Sequence, residues 1–466
     1  MKSYRVLTIL LLHFFHSVSP LFAQQQDAFK SERAQEDYTH LKDSTNLGWQ
    51  QAVKYISLSG DRSSYLSIGG SFRPRYEHFS NRFWIKDNDE NYYSQRLSFH
   101  TDWHLGQFVR LFGELYHGYK TDGMAFPQSD DLDVHQLFVA FELPIEQTNI
   151  SFRFGRQEMK LGSGRLIDLR VGPNMRRSFD LARIIFQKDQ LKFQAFYGKE
   201  VQSNFGAFDN AVSFFDEEAV NPRTWGVYSQ FPINPGEGKN YFCELYYLGF
   251  QSDFASFSDV SGAERRHSIG LRSFGSIGRR FQYNSELIYQ FGDLDGRNIS
   301  AFNFETDWKF AFIDKKWRPT LGLKLDLSSG DRQAGDNKLN SFNPMFVNPA
   351  IYSLAAINTP INLFSLHPAL ILFPYKKLMI NLEFAAFYRT ASSDGLYAPP
   401  SIQSRRANGL SQKHIGNTVG LYVQYTHNRH LSFDIRSSLF IAGAFVEETG
   451  VSESILQFTP TLNLYF

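Results

Sequence analysis

Residues 153–183, RFGRQEMKLGSGRLIDLRVGPNMRRSFDLAR, hold seven arginines against three carboxylates, in a chain whose formal net charge is only +1. A guanidinium stays charged at any physiological pH and cannot relay protons. It grips carboxylates and phosphates with a planar, two-pronged fork. Two uses fit that chemistry. The arginines either pair with internal acids and brace a wall, or line a passage and attract anions.

Acid–base chemistry has candidates but no constellation. His100, Asp102 and His104 alternate along one segment, and Glu286 lies on another. Catalysis needs such groups to converge around a substrate, and strand periodicity alone only lines them up on one face. The chain contains no serine elbow, no HExxH and no calcium loop, and SGDR at 329–332 has no histidine nearby. The single Cys243 excludes an internal disulfide and a thiolate metal cluster. The expectation is therefore a protein that is not an enzyme, with no cofactor and no metal. No basic–aromatic motif suggests a nucleic-acid partner.

The elements that would hold the arginines repeat by twos. In QRLSFHTDWHL (95–105), Leu97, Phe99, Thr101, Trp103 and Leu105 share one face, and Arg96, Ser98, His100, Asp102 and His104 share the other. FVRLFGELYHGY (108–119) sets Val109, Leu111 and Leu115 against Arg110 and Glu114. RPTLGLKLDLSSGD and KLMINLEFAAFYRT repeat the pattern. A period of two over about ten residues marks strands with one apolar and one polar face. About 18 such segments start near 64, 92, 107, 132, 148, 180, 190, 223, 240, 264, 279, 299, 317, 365, 376, 414, 429 and 453. Tight links (LGQ, PIEQ, KDQ, DKK, NR) alternate with long ones near 160–179, 201–222, 252–263, 330–364 and 391–413. That alternation predicts an all-β fold, a transmembrane antiparallel barrel with short periplasmic turns and long outer loops. Closure also satisfies every backbone group in lipid. A large soluble sandwich would have to pair its apolar faces, and would leave the charged second face of nearly every strand unexplained.

Composition and the leading segment agree. Aromatics make up 16% of the chain, with 46 Phe and 23 Tyr, yet its mean hydropathy is −0.34. Residues 1–23 have a basic start, an apolar run and a small residue before QQQ, as in a secretory leader cut after Ala23. Residues 24–60 are polar and charged, and are expected to form a partly disordered periplasmic lead-in. The barrel is expected over 61–466, ending on Leu462, Leu464 and Phe466 facing outward. Expected partners are outer-membrane lipid and the outer-membrane assembly machinery.

If leucine and phenylalanine face lipid, the other parity faces a lumen. A charge at mid-bilayer on the lipid face would cost roughly 2–4 kcal/mol. By parity the lumen receives Arg73, Arg75, Glu77, Arg96, Arg110, Glu114, Arg153, Arg183, Arg266, Arg272, Glu286, Lys324, Asp326, Glu383, Arg389, Asp434 and Arg436. Arginine outnumbers the acids.

The 155–183 block strongly resembles the signature of the alginate export family of outer-membrane porins. Further blocks match in order: QRLSFHTDWHLG, RRHSIGLRSFG, YQFGDLDG, LSSGDR, FNPMF, NLFSLHPAL and FYRTASSDGLY. The resemblance covers nearly the whole mature chain. It implies a monomeric 18-stranded barrel with an electropositive constriction that passes a linear polyuronate outward. By analogy, Arg153, Arg156, Arg165, Arg170, Arg176, Arg177 and Arg183 belong to two strands and the segment between them, part of which lines the pore. Asp168 and Asp180 would fix some of these arginines, and glycines 155, 162, 164 and 172 would let the segment pack tightly. The expected pore lining also takes in Arg73, Arg75, Arg96, Arg110, Arg272 and Arg389. The cargo is expected to be an anionic polysaccharide or another organic anion, moving by passive diffusion. The alternatives are a generic anion or sugar porin for uptake, or a structural or adhesive barrel.

Overall fold

The computed structural model describes residues 29–466 except 45–46, 125–126, 211–221, 234–239 and 353–356. The expected leader and its cleavage after Ala23 lie outside the described residues.

Eighteen long strands carry the fold. They are β1 Tyr65–Ser80, β2 Glu90–Leu105, β3 Val109–Lys120, β4 Asp130–Ile145, β5 Thr148–Gln157 and β6 Phe179–Lys188. Next come β7 Leu191–Glu200, β8 Arg223–Pro232, β9 Asn240–Phe257, β10 Val260–Ile277, β11 Phe281–Leu294 and β12 Arg297–Ala311. The last six are β13 Thr320–Ser328, β14 Leu363–Tyr375, β15 Leu378–Arg389, β16 His414–Asn428, β17 Leu431–Ala442 and β18 Ile455–Tyr465. Each strand pairs antiparallel with the next, and β1 closes on β18 with Ser71 opposite Tyr465 and Phe72 opposite Leu464. Every start falls within four residues of its period-two expectation, the largest offset being Val260 against 264.

Side-chain burial is inverted relative to a water-soluble domain. Along β2, Leu97 and Phe99 are 48% and 44% exposed, whereas Arg96, Ser98 and His100 are 6% or less. The same alternation runs round the ring: Leu321 and Leu323 point out beside inward Asp326, and Leu382 and Phe384 beside inward Asn381 and Arg389. Phe466 continues β18, exchanging backbone hydrogen bonds with Gly70 of β1. A Cβ on Gly70 would stand 2.6 Å from the Phe466 ring, so the terminal aromatic fills the space that glycine leaves on the outer face.

One loop expectation fails. The link near 252–263 is not long: β9 and β10 pair up to Phe257 opposite Val260 and turn through Ser258–Asp259. The polar–apolar alternation weakens at SDFASFSD while the backbone ladder continues, so parity loses the strand there.

Two long connections fold into the barrel and cover each other. Segments 158–178 and 329–362 meet in a short parallel bridge between Ile167 and Phe346, and the Asp168 amide donates to the Phe346 carbonyl at 3.1 Å. Around this seam Met159, Leu161, Leu166, Ile167, Phe342, Phe346 and Ile361 form one buried cluster with Phe179 and Phe250 of the wall. Glycine is needed where the chain makes the turn: Gly164 has φ +86 and Gly155 has φ +124, and a Cβ on Gly155 would meet the Leu137 carbonyl at 2.4 Å. Gly172 has open space around it and needs no glycine.

The described part of the lead-in, residues 29–44 and 47–60, is folded rather than loose. It binds the short-turn end of the barrel, with Phe29 stacked on Tyr465 and packed edge-on to His430, and Tyr55 stacked on Tyr65. Arg33 and Lys54 both donate to the Phe466 carbonyl, at 3.1 and 2.9 Å.

Candidate functional site

The lumen-facing rows of β1 to β6 carry most of the expected arginines, and cross-strand register decides which of them meet. Arg73 of β1 stands opposite Arg96 of β2, and Arg153 of β5 opposite Arg183 of β6. Like charges placed directly across a sheet destabilise it. Each pair therefore needs anionic or polar compensation.

Some of the fourteen expected residues are tied to internal acids. Arg110 forks onto Asp102, with both bonds at 2.7 Å. Arg156 bonds Asp180 at 3.0 Å, and Arg272 bonds both oxygens of Glu244 at 2.9 Å while donating to Asn284. Arg176 grips Glu158 at 2.7 Å, Arg177 bonds Glu200 at 2.7 Å, and Arg165 pairs with Glu305 beneath the Tyr352 ring. Breaking such a buried pair by removing one partner costs about 3–5 kcal/mol. These pairs hold the wall and its inward segments in place.

Others are spent on backbone carbonyls. Arg73 donates to the carbonyls of Val171 and Pro173, each at 2.7 Å, and Arg75 to Gly172 at 2.8 Å while pairing with Glu77. They fix the tip of the inward segment 158–178. Arg170, in that segment, donates to the Met175 carbonyl at 3.3 Å. Arg389 lies far from the β1–β6 group, at the long-loop end. It donates to the carbonyls of Ser392, Asp394 and Leu410 and lies 3.7 Å above the Phe445 ring.

Three guanidiniums remain without a tight acid. Among the described residues Arg183 bonds the amide oxygen of Gln194, at 3.0 and 2.6 Å, and no acid. Arg153 bonds Ser151 at 3.0 Å and reaches Glu142 only at 3.9 Å. Arg96 leaves Nε and one terminal nitrogen without a partner among the described residues, with Tyr116 5.6 Å away. Arg153 and Arg183, side by side on β5 and β6, form a cationic strip that could receive an anion from the lumen, while Arg96 lies apart on β2, opposite Gly118 of β3.

Sequence reasoning missed Gln194, which orients Arg183, and the lead-in. Ser31 accepts from Arg176 at 2.8 Å and Ala34 from Arg110 at 2.7 Å. Neither residue has a type or a period that would single it out. Glu114, His135 and Glu158 bring possible ligand atoms within 4.8 Å of one another, but Arg176 holds Glu158. Burial brings the Lys160 ammonium in segment 158–178 down to about 8, against the pull of Asp168 at 3.5 Å. At the long-loop end a cavity of about 1250 Å³ opens between Arg170, Arg177, Glu200, Phe254 and Arg406.

A closed 18-stranded barrel, apolar outside and charged within, with segments folded into the lumen, defines an outer-membrane porin. The alginate export family model matches residues 64–457, and the chain belongs to that family. Solved porins of Pseudomonas aeruginosa share the fold. OccK2 (OpdF) in complex with glucuronate superposes with a TM-score of 0.54 at 12% identity, covering 86% of this chain and 96% of that one. OpdO gives 0.54 at 12% over 89% and 98% of the two chains, and OccK8 (OprE) 0.54 at 10% over 86% and 98%. A search of curated protein sequences finds no significant match.

Proposed function

We propose that this porin is a passive conduit for carboxylate-bearing saccharides, polyuronates of the alginate kind being the cargo that best fits it. The short turns face the periplasm and the long loops face outward. The observation that carries the reading is the Arg153–Arg183 pair: two like charges stand side by side on the lumen wall with no tight acid among the described residues. A uronate carboxylate would bridge them with charge-assisted forks. Family membership supports the saccharide class, and OccK2, a fold relative, was solved with glucuronate.

Block of single-channel current tests this. Exchanging both Arg153 and Arg183 for Ala is expected to weaken block by a polyuronate about tenfold or more, since each charge-assisted hydrogen bond contributes roughly 1.5–3 kcal/mol. Unchanged block together with lost heat stability would make the pair a wall brace. The second reading, uptake of small organic anions, also has the inward segments in its favour, because they narrow the lumen. It predicts that glucuronate permeates and that the polymer never enters.

A further inference from the structure

The lead-in places a carboxylate of the protein itself among the cations of the lumen. Glu32 lies between two clamped carbonyls, Ser31 held by Arg176 at 2.8 Å and Ala34 held by Arg110 at 2.7 Å. Ala34 is buried against Phe112, Phe138 and Ala140 of the wall. Arg33, next in sequence, turns the other way, pairing with Glu36 at 3.0 Å and donating to the Phe466 carbonyl. The segment thus runs as a chord from β18 to β3 and β4, fixed at both ends. Arg153 stands opposite Ala140 with its guanidinium 5.6 Å over the Phe138 ring, the two wall residues that Ala34 packs against, and Arg183 stands opposite Arg153. Yet Glu32 makes no ion pair within 4.0 Å among the described residues, and its side chain remains partly exposed.

We infer that the wall of Arg153 and Arg183 is a binding subsite for one uronate carboxylate, and that Glu32 is its built-in competitor. The inference rests on the saccharide-conduit reading and adds the residue that holds the place of the cargo. A carboxylate suspended near several cations, bonded to none, stabilises the arginine pair while the lumen is empty. It also leaves the donors not held by Gln194 and Ser151 to an incoming anion. A uronate that seats on both guanidiniums has two oxygens to offer at bonding distance, whereas Glu32 offers charge at longer range. Cargo therefore displaces the influence of Glu32 at a cost set by the coupling between the two carboxylates.

The experiment uses the full chain in planar bilayers, with glucuronate and a polyuronate oligomer as blockers. Four forms are compared: the native chain, Glu32→Gln, Arg183→Gln and the double variant. Each is first checked for heat-modifiable migration as a folded barrel. Removing the competitor is expected to lower the blocking concentration about fivefold or more, the low end of ordinary coupling between two sites. In the Arg183→Gln background the same change is expected to gain less than about twofold, because the shared site is gone. If Glu32→Gln blocks like the native chain while Arg183→Gln blocks more weakly, Glu32 is no competitor and the inference falls with the conduit reading intact. An equal gain from Glu32→Gln in both backgrounds also overturns it, since the effect is then diffuse lumen charge. If neither blocker acts on any form, the conduit reading fails and takes the inference with it.

Discussion

At the residue scale, the arginines divide by what their forks already hold. Residue type and parity were enough to turn Arg96, Arg153, Arg183 and Arg389 inward, because a charge on the lipid side is too costly. Parity could not tell a cation with spare bonding from one already saturated. Arg389 and Arg183 look alike in sequence, yet the first holds carbonyls of the 390–413 link while the second bonds one neutral amide. That difference depends on where a long connection comes to rest, which no local pattern encodes. It yields a contrast: Arg389→Ala should leave ion selectivity unchanged and lower the heat stability of the folded form. The orphaned carbonyls of Ser392, Asp394 and Leu410 would cost about 1–3 kcal/mol each if they stayed dry. Semi-native gel shifts and reversal potentials on the same preparation check both halves. A changed reversal potential would move Arg389 into the conducting path.

At the element scale, strands were legible and occupants of the lumen were not. Eighteen segments announce themselves because each must present an apolar row to lipid every second residue, a demand written locally along the chain. β9 and β10 show its limit: the row fades at SDFASFSD although the ladder continues. Segments 158–178 and 329–362 have no such demand, because they bury short apolar runs against one another. Leu166, Ile167, Phe342 and Phe346 read as loop residues until the two segments are brought together. Phe346 is the keystone. It is 2% exposed, meets Phe179 and Phe250 edge-on at 5.1 and 5.6 Å, accepts from the Asp168 amide through its carbonyl and donates its own amide to the Leu166 carbonyl. Phe346→Ala should cost the plug roughly 3–5 kcal/mol without unfolding the barrel, whose ladder does not pass through it. The expected record is a larger and noisier single-channel conductance at an unchanged barrel melting temperature. Unchanged conductance would mean that the seam does not bound the open path.

At the scale of the whole molecule, a nearly neutral chain sorts its charge by geometry. Acids and bases alike point inward, and most arginines find acids, which is why the net charge of +1 says nothing about the lumen. What remains is a local strip, the Arg153–Arg183 pair on β5 and β6, with Arg96 apart on β2. Such a strip raises the local anion concentration, and salt screens it over a Debye length of about 10 Å at 0.1 M. The most direct measurement is the zero-current potential of the folded barrel across a tenfold gradient of dilute potassium chloride, repeated at high salt. An arginine-lined conduit gives a potential of the sign set by chloride, shrinking as salt rises and falling further in the Arg153→Ala, Arg183→Ala double variant. A potential of the cation-selective sign, or an anion preference that the double variant leaves untouched at every salt concentration, would contradict it.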